Sequence, residues 1–237
     1  MTSKEDRLTI ATVIEATGGS LIQGDRRDPV AGVSTDSRSI KPGELFFALR
    51  GERFDGHHFI AEALRRGGGG VVVDEQGRGI TDKTIAVIQV TDTLQALGDL
   101  ANRWRRRHPI PVIAVVGSNG KTTTKEMVAG ILERKDAVLK NPGNLNNLIG
   151  LPLSLLKMNA NDRVAVIEMG MNRAGEILRL TQIAEPDLGI VTNIGPVHLE
   201  GVGSIEGVMR AKGELLEGMG AHGSLIFNAD DPRVVEL

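Results

Sequence analysis

The stretch Gly117-Ser118-Asn119-Gly120-Lys121-Thr122-Thr123-Thr124 constrains this chain more than any other. The apolar run Val112-Ile113-Ala114-Val115-Val116 leads into it and reads as a buried strand, and amphipathic residues from Thr123 to about Glu133 leave it as a helix. Strand, glycine turn and helix together make a phosphate cradle. The glycines let backbone N–H groups close around oxyanions, and the helix start adds the positive end of its dipole. Lys121 reaches the outer phosphates, and the Thr122 hydroxyl suits Mg²⁺. The usual wider spacing would put a first glycine where Val115 stands, so the loop is a shortened G-x-x-G-K-T. A glycine turn beside a surface lysine is the plainer alternative, but it does not call for Lys-Thr at a strand-to-helix junction.

The rest of the composition narrows the function class. At 237 residues, with 41% hydrophobic and 24% charged, the chain has the make-up of a globular protein of one large or two modest domains. Its 28 basic and 30 acidic residues leave a formal charge of -2, so no global field favours nucleic acid or a membrane surface. The absence of cysteine excludes disulfides, thiolate metal sites and a cysteine nucleophile. Aromatics are 3%, with no Tyr and one Trp, which disfavours base-stacking modules. The start, Met1-Thr2-Ser3-Lys4-Glu5-Asp6-Arg7, has no apolar core behind its charges, and no uncharged run is long enough to span a bilayer. Cytoplasmic is the default expectation.

Residues 8 to 24 read as a helix closed by Gly18-Gly19, with a short strand at Ser20-Leu21-Ile22. Val33-Ser34-Thr35-Asp36-Ser37-Arg38 clusters hydroxyls, a carboxylate and a guanidinium where a strand meets a loop. It suits a polar ligand and equally a solvated turn. Leu45 to Leu49 reads as a buried strand, Gly51 to His58 as turn-rich, Ile60 to Arg66 as a helix, and Val71-Val72-Val73 and Ile85 to Val90 as strands. His57 and His58 are ligand groups only if something beyond their loop position says so. Thr93 to Arg107 is a helix whose terminal arginines suit the negative end of its dipole. His108-Pro109-Ile110-Pro111 cannot continue it and marks the expected boundary between domains 1–108 and 109–237.

Beyond the phosphate loop, Ala137-Val138-Leu139 is a short strand. Asn141-Pro142-Gly143-Asn144-Leu145-Asn146-Asn147 is a loop whose asparagines either grip a ligand or merely turn the chain. Strands at 164–167, 188–192 and 225–227 deliver Glu168, then Asn193 and His198, then Asn228 and Asp230, with helices near 175–183 and 204–217 between them. This alternation predicts an α/β fold with a parallel sheet, whose ligands bind beyond the carboxyl ends of the strands. On the last helix Ile205, Val208, Met209, Lys212, Leu215 and Leu216 share one face. A lysine in an apolar stripe is either buried, with a lowered pKa, or snorkels its stem to water.

Taken together, the phosphate loop with Lys125-Glu126-Met127, Gly143-Asn144-Leu145-Asn146-Asn147, Glu168-Met169-Gly170-Met171-Asn172, Thr192-Asn193-Ile194-Gly195-Pro196-Val197-His198-Leu199-Glu200 and Arg210-Ala211-Lys212-Gly213-Glu214 resemble the Mur ligase family. Ser34 to Arg38 and Gly51 to His58 resemble that family's N-terminal segment, and the shortened phosphate loop is its own form. The resemblance implies an N-terminal α/β domain that binds a UDP-linked substrate, followed by a P-loop-type parallel-sheet ATPase domain. It implies ATP and Mg²⁺, small-molecule substrates (a UDP-MurNAc-tripeptide and D-Ala-D-Ala), a monomer, no nucleic acid, no membrane insertion, and a role in peptidoglycan precursor synthesis.

By resemblance, Gly117, Ser118, Asn119, Gly120, Lys121, Thr122 and Thr123 would hold the nucleotide phosphates and Asn228 the adenine side. Thr122, Glu168 and His198 would hold Mg²⁺, and Lys121, Lys212 and His198 would serve catalysis, Lys212 as a carbamate that helps to place the metal. Ser34, Thr35, Asp36, Ser37, Arg38, His57, Asn144, Asn146 and Asn147 would contact the substrate. The family also has a third, C-terminal domain, so a chain ending at Leu237 reads as a fragment with an incomplete central domain, expected to bind the UDP substrate better than ATP and to turn over poorly. The alternatives are a MurE-type or folylpolyglutamate-type ligase with another acceptor, and a non-catalytic P-loop module, for which Lys212 would have no use.

Overall fold

Thr9 starts the first helix. Its extended backbone and its hydroxyl, which accepts from the Thr12 amide at 3.3 Å, cap the helix, and Gly18 in the left-handed region ends it. The helix expected from residue 8 is therefore a two-residue strand followed by Ile10–Thr17. The computed structural model describes residues 7–51, 54–77, 80 and 82–237. Residues 1–6 of the charged start, and Glu52 and Arg53 in the turn-rich stretch, lie outside the described residues.

The chain divides into two units, Met1–Arg103 and Trp104–Leu237. In the first, β1 (Leu8–Thr9), α1 (Ile10–Thr17), β2 (Ser20–Gln23), β3 (Pro29–Val30), β4 (Gly32–Ser34), β5 (Glu44–Phe47), α2 (Ile60–Arg65), β6 (Gly70–Val73) and β7 (Ala86–Gln89) precede α3 (Thr93–Arg107). The main sheet has the order β2-β7-β6-β5-β4, parallel except for β2, which runs antiparallel beside β7 with a bulge between Leu21 and Gln23. Its core is β-branched and aromatic: Phe46, Val71, Val73 and Val87 pack with Ile40 and Ile60.

The second unit runs β8 (Val112–Val116), α4 (Lys121–Leu132), β9 (Val138–Lys140), α5 (Gly150–Leu155), β10 (Val164–Glu168), α6 (Glu176–Ala184), β11 (Leu188–Val191), α7 (Leu199–Val202), α8 (Ile205–Met219), β12 (Ser224–Phe227) and α9 (Pro232–Glu236). All five strands are parallel in the order β12-β11-β8-β10-β9, as the strand–helix alternation predicts. β8 sits at the centre, where the winding reverses, so its carboxyl end is the natural crevice of the sheet. Val115, Ala129 and Val166 form the dry contact between sheet and α4.

The division falls in the last turns of α3, ahead of the expected His108–Pro111 linker, and α3's last arginines explain why. Arg105 is buried: its guanidinium donates to the carbonyls of Ala184 (2.9 Å), His108 (3.2 Å) and Glu185 (3.2 Å). The Trp104 indole donates to Met158 O at 2.9 Å. Arg106, next in sequence, only pairs with Glu185 at the surface. The basic run is thus more than a complement to the helix dipole. Arg105→Met is expected to lower unfolding free energy by about 2–3 kcal/mol, because the Ala184 and Glu185 carbonyls lose their donor and His108 O keeps only the Ile110 amide. Arg106→Met should cost less than about 1 kcal/mol. Denaturant titration of the two variants checks the order; equal losses would sink this account of the α3 end.

Candidate active site

The phosphate loop forms as its glycines require. Gly117 sits at φ 149 and Gly120 at φ 77, backbone regions that side chains rarely enter, and Gly120 is the residue from which α4 starts. The segment after β11 braces the loop from the side. Ser118 N donates to Asn193 O (2.9 Å), Asn119 N to Asn193 Oδ1 (2.9 Å), and Thr192 Oγ1 to Asn119 O (2.7 Å). The amides of Ser118 and Asn119 are therefore engaged with the protein. The first helical bond of α4 runs from Thr124 N to Gly120 O, so the amides of Lys121, Thr122 and Thr123 have no helical acceptor and face outward at the positive end of the helix dipole.

Two lysines converge behind this loop. Lys121 Nζ donates to Gly117 O at 3.0 Å and to Ser118 O at 3.3 Å, and Lys212 Nζ, from the middle of α8, donates to the same Gly117 oxygen at 2.9 Å. Lys212 is 2% exposed, which decides between the buried and snorkelling readings. Burial, with the neighbouring Lys121 charge, brings its pKa down to about 8. Burial also lowers the pKa of Lys121, against the pull of Glu168. Among the described residues neither ammonium has a carboxylate within ion-pair reach. Two cations on one carbonyl, beside unengaged amides, are an arrangement completed by an anion.

Glu168 ends β10 and is 2% exposed. Its Oε2 accepts from Thr122 Oγ1 at 2.7 Å and its Oε1 from Asn146 Nδ2 at 2.6 Å. A hydroxyl and a carboxylate oxygen side by side are the hard donors Mg²⁺ prefers when phosphates complete its shell. No group of three or more His, Asp or Glu that could hold a metal by itself occurs among the described residues. His198, expected with Thr122 and Glu168, is exposed with a left-handed backbone at φ 54. It lines an open cleft of about 600 Å³ with Asn172, Arg173 and Glu200, and no hydrogen bond ties it to Glu168.

The asparagine loop divides its labour. Asn146 reaches Glu168, Asn147 Oδ1 accepts the amides of Ile149 and Gly150 at the start of α5, and Asn144 is exposed. Asn141, read with its loop as either gripping a ligand or turning the chain and not among the expected substrate contacts, is fully buried. Asn228 stands exposed just past β12 and takes the Asp230 amide on its Oδ1.

In the first unit, Thr35, Asp36, Ser37 and Arg38 line a cleft of about 610 Å³ with Phe54 and Phe59. Phe54 is 73% exposed there, a large apolar face open at a polar mouth. The Arg38 guanidinium beside Asp36 holds its carboxyl down to about 2. Ser34 is buried, its hydroxyl bonded to the Asp36 backbone, and Ser37 Oγ donates to Glu62 Oε2 at 2.9 Å. His57 does not line this cleft. Its ring lies between Asp55 (2.6 Å) and Asp74 (3.2 Å), and Arg50 also pairs with Asp74 (2.8 Å). That network secures the Asp55–Phe59 turn.

Comparison with known proteins bears on both units. The family model described as Mur ligase middle domain matches residues 115–237, and that described as Mur ligase family, catalytic domain, matches residues 29–105. The UDP-N-acetylmuramoyl-tripeptide--D-alanyl-D-alanine ligase of Bacillus subtilis (strain 168) is 42% identical over 225 residues, 94% of this chain and 49% of the relative. The crystal structure of MurF from Acinetobacter baumannii superposes with a TM-score of 0.89 at 37% identity, covering 97% of this chain and 50% of that one. MurF ligase from Thermotoga maritima in complex with ADP gives 0.78 at 35% identity, over 86% of this chain and 47% of that one. The chain spans about half the length of the relatives it matches. No helix among the described residues is long and apolar enough to cross a membrane.

Proposed function

Because this chain belongs to the Mur ligase family, we propose that it carries the UDP-substrate and ATP sites of a ligase that adds D-Ala-D-Ala to a UDP-MurNAc-tripeptide through an acyl phosphate. The observation that carries the reading is the pair Lys121 and Lys212 on one carbonyl, next to the outward amides of α4 and the Thr122–Glu168 contact. Lys121 leaves Gly117 O for the outer phosphates, and the amides of Lys121, Thr122 and Thr123 hold the inner ones. Thr122 and Glu168 would hold Mg²⁺, and His198 would join them as a further ligand. A metal held there would supply positive charge against that growing on the transferred phosphoryl group. Asn228 contacts the adenine side, and the Thr35–Arg38 cleft takes the UDP end, with Phe54 offering a face to the base.

The tripeptide carboxylate attacks the terminal phosphorus. A new O–P bond forms as the bond to the ADP oxygen breaks. The dipeptide's neutral amine then attacks the acyl carbon, a C–N bond forms, phosphate leaves and the amine's proton passes to solvent. No side-chain nucleophile is needed, in keeping with a chain that has no cysteine. With its pKa near 8, the Lys212 amine is neutral often enough near neutral pH to add CO₂, losing a proton to form a carbamate that would help to place the metal.

The test is phosphate release together with amide formation, with D-Ala-D-Ala offered against single amino acids. Release that is slow and needs both the UDP-tripeptide and the dipeptide is expected. Preference for a single amino acid would move the chain to a MurE-type acceptor. Hydrolysis that needs no carboxylate substrate would replace the ligase reading with a nucleotide-driven module.

A further inference from the structure

We propose that Asn141 and Lys125, neither of which faces the ligand, are positioning residues that clamp the Glu168 carboxylate and the Asn146 side chain in register with the phosphate loop. The proposal rests on the reading that Thr122 and Glu168 receive Mg²⁺.

β9 ends at Lys140, where its pairing with β10 has reached Val166. One residue on, the Asn141 side chain takes over the pairing. Its Oδ1 accepts the Glu168 amide at 2.9 Å, and its Nδ2 donates to Glu168 O at 3.0 Å and to Leu145 O at 2.9 Å. A single carboxamide thus acts as a strand partner for Glu168 and as a tie to the asparagine loop. Both functions need a donor and an acceptor on one planar group, which only Asn and Gln supply.

Lys125 sits one helical turn beyond Lys121 on α4 and is fully buried. Its Nζ donates to Asn141 O at 2.7 Å and lies 3.1 Å from Glu126 Oε1. A buried ammonium is costly, and this one spends its strongest hydrogen bond on the backbone of Asn141. The same helix therefore carries Thr122, which bonds the Glu168 carboxylate, and Lys125, which bonds the residue holding Glu168's backbone. Asn146 closes the circuit, with its Nδ2 on Glu168 Oε1 and its carbonyl accepting the Gly170 amide at 2.8 Å. Residues behind a metal ligand that fix its orientation typically govern metal affinity strongly.

Two variants and one measurement on the unaltered chain test this. Asn141→Ala removes the strand partner, and Lys125→Met keeps the buried volume while removing the donor. Each is expected to weaken ADP binding in the presence of Mg²⁺ by about 10- to 100-fold and to leave ADP binding in EDTA unchanged. In the absence of ligand, amide exchange should accelerate at Glu168 and in the Asn144–Asn147 loop, with β11 and β12 unaffected. In the unaltered chain the Asn141 side-chain N–H protons should exchange far more slowly than those of exposed Asn144, and should shift when Mg²⁺ joins the ADP complex. Equal losses with and without Mg²⁺, exchange that rises throughout the unit, or unprotected Asn141 protons would each overturn the clamp. If the unaltered chain bound ADP no better with Mg²⁺ than without, the metal reading would fall, and the exchange pattern alone would still decide the clamp.

Discussion

If the ligase reading holds, Lys212→Met is expected to cut phosphate release by about 10²–10³-fold, the usual cost of removing a group aimed at developing charge, while the protein, without added bicarbonate, melts several degrees higher. The two effects have one cause. In the unfolded chain the ammonium keeps its proton up to the ordinary value of 10.5, and in the fold it gives the proton up near 8. Between those values the unfolded state binds more protons, so stability rises as pH climbs from 8 to 10.5 and is lowest below that window. At pH 7 the buried charge costs about 3 kcal/mol. Methionine removes the charge at nearly constant volume, and Gly117 O keeps Lys121 as a donor. Allowing about 1 kcal/mol for the lost hydrogen bond, a net gain of about 2 kcal/mol corresponds to roughly 4–8 °C.

The alkaline rise should flatten in the variant. The chain has no tyrosine or cysteine, so lysines are the only side chains that ordinarily titrate within that window. Calorimetric melts from pH 7 to 10.5, paired with turnover, check both halves. Retained turnover, or a melting point that falls, would show that Lys212 is a structural lysine.

Much of this was legible in the residues, for reasons that are local. α3 runs over the expected Thr93–Arg107, because its apolar spacing is regular and His108-Pro109 forbids more. The apolar stripe around Lys212 left burial and snorkelling both open, and it is the packing of Val208, Ala211 and Leu215 on the buried side of α8 that decides for burial. What escaped was whatever depends on a distant partner. Nothing local separates Asn141, which is buried on Glu168, from Asn144, which is exposed, since both follow turn-forming chemistry. Arg105 and Arg106 are neighbours in one basic run, yet the Ala184 and Glu185 carbonyls that distinguish them lie at the far end of α6. α5, where no element was expected, carries Pro152 in its first turn, a position at which proline is tolerated. His57 drew notice as a loop histidine, but Asp74, which holds its second nitrogen, comes after an intervening helix and strand.

Gly117→Ala should lower the stability of the second unit by about 4 kcal/mol through backbone strain and steric overlap and abolish measurable ADP binding. At φ 149 the residue occupies a region nearly closed to side chains, and a Cβ there would land on Thr192 Oγ1. Neither party can yield cheaply. Thr192 Oγ1 is committed to Asn119 O, and the Gly117 carbonyl is the common acceptor of Lys121 and Lys212. Rotating the peptide to relieve the clash would swing that carbonyl away and separate the two ammonium groups from the loop they stabilise. Gly120→Ala is the control. Its φ is 77, but no atom lies within 4 Å of the added carbon, so only the left-handed backbone cost of about 1–2 kcal/mol applies. Pairing Gly117→Ala with Thr192→Ala removes the clash and leaves the strain, and should recover part of the stability. Denaturant unfolding and ADP titration of the four proteins give the ranking. If Gly117→Ala proved as mild as Gly120→Ala, the tight approach of the two loops, and with it the shared-carbonyl geometry of the lysines, would be wrong.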